Sequence, residues 1–131
     1  MIGLDTNVLV RYIMQDDKKQ SALANKLIEG LTEASPGFIT LVSMVELVSV
    51  LESAFSLARS QIVDVFQTIM AVDVFKIERA AVVASALRTY SEGSADFADC
   101  LIERSSVHAG CERTMTCDRA AAKTGGMVLI K

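Results

Sequence analysis

Five short strand-like runs, separated by segments of helical periodicity, constrain this chain more than any other feature. The runs are Ile2–Leu4, Phe38–Thr40, Val72–Phe75, Arg113–Thr116 and Met127–Ile130. Between the first two, Leu23, Ala24, Leu27, Ile28 and Leu31 form a helical stripe within Lys18–Glu33, which Asp16 and Asp17 precede. Ser35-Pro36-Gly37 then makes a turn. Met44, Val48, Leu51 and Phe55 share one face of the next helix, and Ile62, Val63, Phe66, Ile69 and Met70 mark another. Val83, Ala86, Leu87 and Tyr90 give a helix that Gly93 ends; Ala98, Leu101, Ile102 and Ser105 give one that stops near Gly110. A short helix over Arg119–Lys123 meets Gly125-Gly126 before the last run. Strands alternating with helices pair in parallel through right-handed crossovers. The expected fold is therefore α/β, a three-layer parallel sheet of five strands with helices on both faces, in one domain over residues 1–131.

Composition narrows the chemistry. A chain of 131 residues, 51% apolar, can bury a sizeable core without disulfide or metal staples. Its three cysteines, Cys100, Cys111 and Cys117, are an odd number with no Cys-x-x-Cys pair, and His108 is the single histidine. A Cys/His zinc site or a haem motif is thus not expected. The thiols read as reduced and partly buried, and His108, late in a helical stretch, as structural or surface-exposed. Carboxylates must carry any chemistry. The longest uncharged stretch, 34–45, is short and broken by Pro36 and Gly37, so no membrane span is expected. The opening Met1-Ile2-Gly3-Leu4-Asp5 has no basic leader region, and a cytoplasmic protein is expected. A formal charge of −3 speaks against a generic polyanion binder. Four acids gathered around a metal would leave the remainder of the chain weakly positive.

The placement of the acids is informative. Ligand sites of open parallel sheets lie beyond the carboxyl ends of the strands, where strand order reverses. Asp5 and Asp118 each directly follow a strand. In the order 3-2-1-4-5 the two would face one crevice; singly, each is equally a helix N-cap. Glu46 has two apolar neighbours on each side, and burying a lone carboxylate is costly unless a cation or donors compensate. Ser43-Met44-Val45-Glu46 also matches a capping box, which fails if the helix begins at Leu41. Asp96 and Asp99 share a helix face, with Glu103 a turn further on, and alone they read as first-turn acids on a solvated face. Asp16-Asp17-Lys18-Lys19 reads as a cap and a charged surface. Jointly, Asp5, Glu46, Asp99 and Asp118 form a repulsive set that hard divalent cations would satisfy. Two such metals about 4 Å apart activate a water and stabilise the leaving oxygen in phosphodiester hydrolysis.

Four segments carry a resemblance. They are Leu4-Asp5-Thr6-Asn7-Val8-Leu9-Val10-Arg11-Tyr12, Val45-Glu46-Leu47-Val48-Ser49-Val50-Leu51, Asp96-Phe97-Ala98-Asp99-Cys100-Leu101-Ile102 and Thr116-Cys117-Asp118-Arg119. In this order and spacing the chain resembles the PIN-domain nucleases, and among them the VapC-type toxins of prokaryotic toxin–antitoxin pairs. The resemblance covers essentially the whole chain. It implies a PIN-like fold with sheet order 3-2-1-4-5, an endoribonuclease that needs Mg²⁺ or Mn²⁺, a cognate antitoxin that blocks the site, and a homodimer. By position, Asp5, Glu46, Asp99 and Asp118 match the catalytic, metal-surrounding acids, and Asp96 an extra acid at the same metal site. Thr6 and Thr116 match hydroxyl positions beside it. Cys117 departs from the usual Phe, and few basic residues flank the motifs; Arg11, Lys18, Arg104 and Arg119 are the candidate phosphate contacts.

Other five-stranded acidic pockets fit poorly. A phosphotransfer receiver needs an acidic pair at the end of strand 1 and an Asp after strand 3, where Lys76-Ile77 stands. A haloacid-dehalogenase-type phosphatase needs D-x-D where this chain has Asp5-Thr6-Asn7. The competing reading from another class is a catalytically silent PIN-like module that only binds a partner.

Overall fold

A computed structural model describes residues 1–131, which divide into two compact units, Met1–Glu78 and Arg79–Lys131. The first holds β1 (Ile2–Gly3), α1 (Thr6–Met14), α2 (Lys18–Glu29), β2 (Gly37–Ile39), α3 (Leu41–Ser53), α4 (Arg59–Met70) and β3 (Phe75–Ile77). The second holds α5 (Ala80–Glu92), α6 (Phe97–His108), β4 (Met115–Thr116), α7 (Arg119–Thr124) and β5 (Val128–Leu129). The fold is α/β with parallel pairing throughout, and no helix is long and apolar enough to cross a membrane.

In the first unit β2 is central. Ile2 and Gly3 pair with Gly37 and Phe38, and Gly37, Phe38 and Ile39 pair with Phe75, Lys76 and Ile77. Gly37 is required by packing, because a Cβ there would stand 2.7 Å from Leu4 Cδ1 and 2.9 Å from Leu31 Cδ1. Leu9, Ile39, Met44, Leu47, Leu51, Ile62 and Phe66 are fully buried around this ladder. Parallel pairing sends all three strands toward one edge. Thr40 and Glu78, which directly follow β2 and β3, and Asp5, which follows β1 after Leu4, therefore share it. In the second unit α5 packs on α6, with Tyr90 and Phe97 edge to face at 5.9 Å, and β4 pairs with β5 through Met115–Val128 and Thr116–Leu129.

Several expectations are corrected. Hydrogen bonding gives two ladders, β1-β2-β3, which keeps the 3-2-1 part of the expected order, and β4-β5, rather than one continuous five-stranded ladder. Strands β1, β4 and β5 are two residues each and offer few backbone groups for pairing. The third strand falls at Phe75–Ile77, not Val72–Phe75, because Phe75 N–H donates to Val72 O at 3.1 Å and closes a turn over the valines. Helix α2 ends at Glu29, capped by Gly30, yet Leu31 is buried beyond it, which is why its stripe seemed to run further. Leu23 and Leu27 of that stripe are exposed, as is Ile102 on α6. Helix α1 has no counterpart among the expected helices: it spans nine residues and includes the strand-favouring Val8, Val10 and Ile13.

Candidate functional site

In the first unit the chain leaves β1 through buried Leu4 and turns at Asp5. Asp5 has extended geometry (φ −75°, ψ 156°) and caps α1, its Oδ1 accepting Thr6 N–H at 2.8 Å. Thr6 is buried, and its Oγ1 donates to Glu46 Oε1 at 3.3 Å. One threonine thus touches both acids, by its amide and by its hydroxyl. Glu46 is exposed on α3, which corrects the expectation that its apolar neighbours bury it. Helical rotation places Ser43, Met44, Leu47, Val48 and Leu51 inward and turns Glu46 off that stripe. The capping box over Ser43–Glu46 does not form. Helix α3 begins at Leu41, Thr40 Oγ1 accepts Ser43 N–H at 3.1 Å, and Glu78 Oε1 accepts Leu41 N–H at 2.9 Å. Glu46 is therefore free of the capping role, and Glu78, which no local pattern singles out, fills part of it.

In the second unit Asp96 caps α6, its Oδ1 accepting Asp99 N–H at 2.8 Å. Asp118 caps α7, its Oδ1 accepting Ala120 N–H at 2.8 Å. Asp118's own N–H donates to Thr116 Oγ1 at 3.0 Å, so the second threonine fixes the backbone that carries the acid. Both carboxylates spend Oδ1 on a cap. Asp99, half-buried in the first turn of α6, caps nothing. Burial pushes its carboxyl above the usual carboxylate range, and the negative charges of Asp96 and Asp118 add to that shift. The three acids of this unit therefore lie within electrostatic reach of one another, with no ion pair to a Lys or Arg among them.

No group of three or more His, Cys, Asp or Glu side chains converges as a closed metal cage. The donor set still fits Mg²⁺ or Mn²⁺. Magnesium keeps several of its waters and takes one or two carboxylates plus substrate phosphates, so it asks for mutually repelling oxygens rather than a cage. Asp99 beside Asp96 and Asp118 supplies that repulsion.

Two of the four candidate phosphate contacts are already neutralised internally. Arg11 pairs with Asp16 at 2.7 Å and donates to Gln20 Oε1, while Arg104 forks onto Glu103 at 2.5 and 2.6 Å. Lys18 and Arg119 are exposed. Glu103 itself is buried, contrary to the solvated face expected for it, and packs against Gly126, whose φ of +79° suits glycine. No local pattern in α6 marks this pair. His108 is exposed at the end of α6, and the three thiols are free, Cys100 buried and Cys111 and Cys117 exposed.

Comparison with known proteins places the chain in a family. The family model described as PIN domain matches residues 2–127. A curated protein of Aquifex aeolicus (strain VF5), named VapC ribonuclease, is 25% identical over 122 residues, covering 93% of this chain and 90% of its own length. No solved structure gives a significant match.

Proposed function

The chain belongs to the PIN domain family, and from that premise we propose that it is a metal-dependent endoribonuclease, the toxin of a VapC-type toxin–antitoxin pair. The relative named VapC ribonuclease, alignable over most of both chains, supports the substrate class. The observation that carries the chemistry is the grouping of Asp96, Asp99 and Asp118 at the starts of α6 and α7, where burial and then the charges of Asp96 and Asp118 push the Asp99 carboxyl upward. Perturbed carboxylates cluster at functional sites, and a divalent cation bound there would relieve this repulsion.

In this reading residues 1–131 act as one nuclease domain. Asp5, Asp99 and Asp118 hold the metal side, with Asp96 beside them, and Glu46 holds the attacking water. A bound Mg²⁺ or Mn²⁺ supplies charge neutralisation and water activation. Thr6 keeps the Glu46 carboxylate oriented by its hydroxyl and fixes Asp5 by its amide. Thr116 holds the Asp118 backbone. Water oxygen attacks phosphorus in line as the bond to the 3′ oxygen breaks; the water's proton passes to the Glu46 side and the leaving 3′ oxygen takes a proton from solvent, giving a 5′-phosphate and a 3′-hydroxyl. No 2′-hydroxyl takes part. Lys18 and Arg119 are free for phosphates, and the remaining partners in this reading are RNA, a cognate antitoxin and a second copy of the chain.

Calorimetric titration of Mn²⁺ into the purified protein, alongside Asp118→Asn, tests the proposal without needing the right RNA. Saturable binding lost in the variant supports it. A folded wild-type protein that binds no Mn²⁺ overturns the metal assignment and favours a silent partner-binding module.

A further inference from the structure

Thr124, the last residue of α7, carries a hydroxyl used to its full capacity. Its Oγ1 accepts the backbone N–H of Ser94 at 3.0 Å and that of Ala95 at 2.9 Å. A hydroxyl has two acceptor lone pairs and one proton, so these two bonds fill the acceptor side. The proton is left for Ser94 Oγ at 3.2 Å or Ala120 O at 3.5 Å. The two amides belong to the residues directly before Asp96. Ala95 is 1% exposed, so its amide, unlike that of exposed Ser94, has little access to water. The contact is also sterically closed. A Cβ on Gly93 would stand 2.7 Å from Thr124 Cβ, and one on Gly125 would stand 3.2 Å from Ala95 Cβ.

We propose that Thr124 is a positioning residue that sets the acids at the start of α6 against the acid that caps α7. The proposal rests on the reading of Asp96, Asp99 and Asp118 as the metal-side acids. Helix α7 is a link of six residues, capped at its head by Asp118 and ending, at its foot, with Thr124. Pinning the foot to 94–95 fixes where the following cap, Asp96, and its bonded neighbour, Asp99, stand relative to Asp118. Without the hydroxyl, the amides of Ser94 and Ala95 lose this acceptor and the link from α7 to the start of α6 is weakened, while α6 and α7 each keep their own helical bonds. Groups that orient ligands from outside typically affect metal affinity by 10–100-fold.

The test uses the full chain and three variants, all at temperatures well below unfolding. Thr124→Val keeps the shape and removes the acceptor, Thr124→Ser restores it, and Leu87→Ala weakens the α5 core without touching the tie. Amide hydrogen exchange is measured in the metal-free proteins, and Mn²⁺ affinity by calorimetry. In Thr124→Val the Ala95 and Asp99 amides exchange faster and Mn²⁺ affinity falls about tenfold. Thr124→Ser recovers both, and Leu87→Ala keeps wild-type affinity. Unchanged exchange in Thr124→Val refutes the tie, and an equal loss of affinity in Leu87→Ala reduces Thr124 to a general stability effect. A wild-type protein that binds no Mn²⁺ defeats the metal reading itself, while exchange at Ala95 and Asp99 still decides whether the tie exists.

Discussion

Asp118 separates two roles that the sequence leaves entangled, a helix cap and a metal-side acid. Its Oδ1 accepts Ala120 N–H at 2.8 Å at the head of a helix of only six residues. Asparagine caps about as well as aspartate, whereas replacing such a cap by alanine costs about 1 kcal/mol. Asp118→Asn also gives up a favourable charge at a helix N-terminus, roughly 0.3–1 kcal/mol. It relieves repulsion with Asp99, which opposes that loss. The net change for Asp118→Asn is therefore close to zero. Asp118→Ala loses the cap outright, and for a chain of this size 1 kcal/mol lowers Tm by about 3–5 °C. Activity orders the variants differently, because the chemistry needs the charge. Both lose Mn²⁺ binding, and cleavage of a responsive RNA falls by more than about a hundredfold, beyond what outer-shell partners usually cost. Urea unfolding, Mn²⁺ calorimetry and RNA cleavage on the same preparations settle the matter. If Asp118→Asn binds Mn²⁺ and cuts RNA like the wild type, Asp118 is a cap and nothing more.

The other expectations concern single contacts. Asp99 takes up its proton more readily folded than unfolded, so its contribution lowers stability as pH rises through the carboxylate range and the full penalty is present at neutral pH. Asp99→Asn should raise Tm at pH 7 and match the wild type near pH 3, read by thermal melts across pH; a lower Tm at pH 7 would contradict the repulsion. Thr6→Val removes the hydroxyl that holds Glu46, so kcat should drop while stability changes by no more than about 1 kcal/mol; unchanged turnover would free Glu46 from that bond. Gly126→Ala must hold a side chain at φ +79° against the Glu103 carboxyl, and denaturant unfolding should show a loss of roughly 1–2 kcal/mol. A neutral result there would mean the turn relaxes.

Helix stripes in the sequence locate the helices because their buried positions recur every three to four residues, as Met44, Val48 and Leu51 do on α3. They do not say where a stripe leaves the helix: Leu31 remains in the core after α2 has stopped at Gly30. Short strands are harder still. The β-branched run at Val72–Val74 lies in a turn because pairing with Gly37–Ile39 selects Phe75–Ile77, and that selection is a tertiary contact no local pattern encodes. The acids were legible as positions just past strands or in first helical turns. Glu78 and Thr124 were not, since each serves a backbone amide about thirty or more residues away in sequence.

The choice between cap and ligand is less of an alternative than the sequence makes it appear. Asp5, Asp96 and Asp118 each direct one carboxylate oxygen at a backbone amide of the following helix. That bond restrains the side-chain rotamer and leaves the second oxygen outside the cap. A carboxylate held in this way arrives at a cation already oriented and loses little freedom on binding it. Two acids depart from the pattern: Asp99 caps nothing, and Glu46 is held by a threonine hydroxyl in place of an amide. Capping thus accounts for the geometry of three acids but for neither of the others. As a first-turn acid Asp99 has the helix dipole in its favour, yet burial and the charges of Asp96 and Asp118 oppose its ionisation, so of the five acids it is the one whose charge is least accounted for by capping and neighbours.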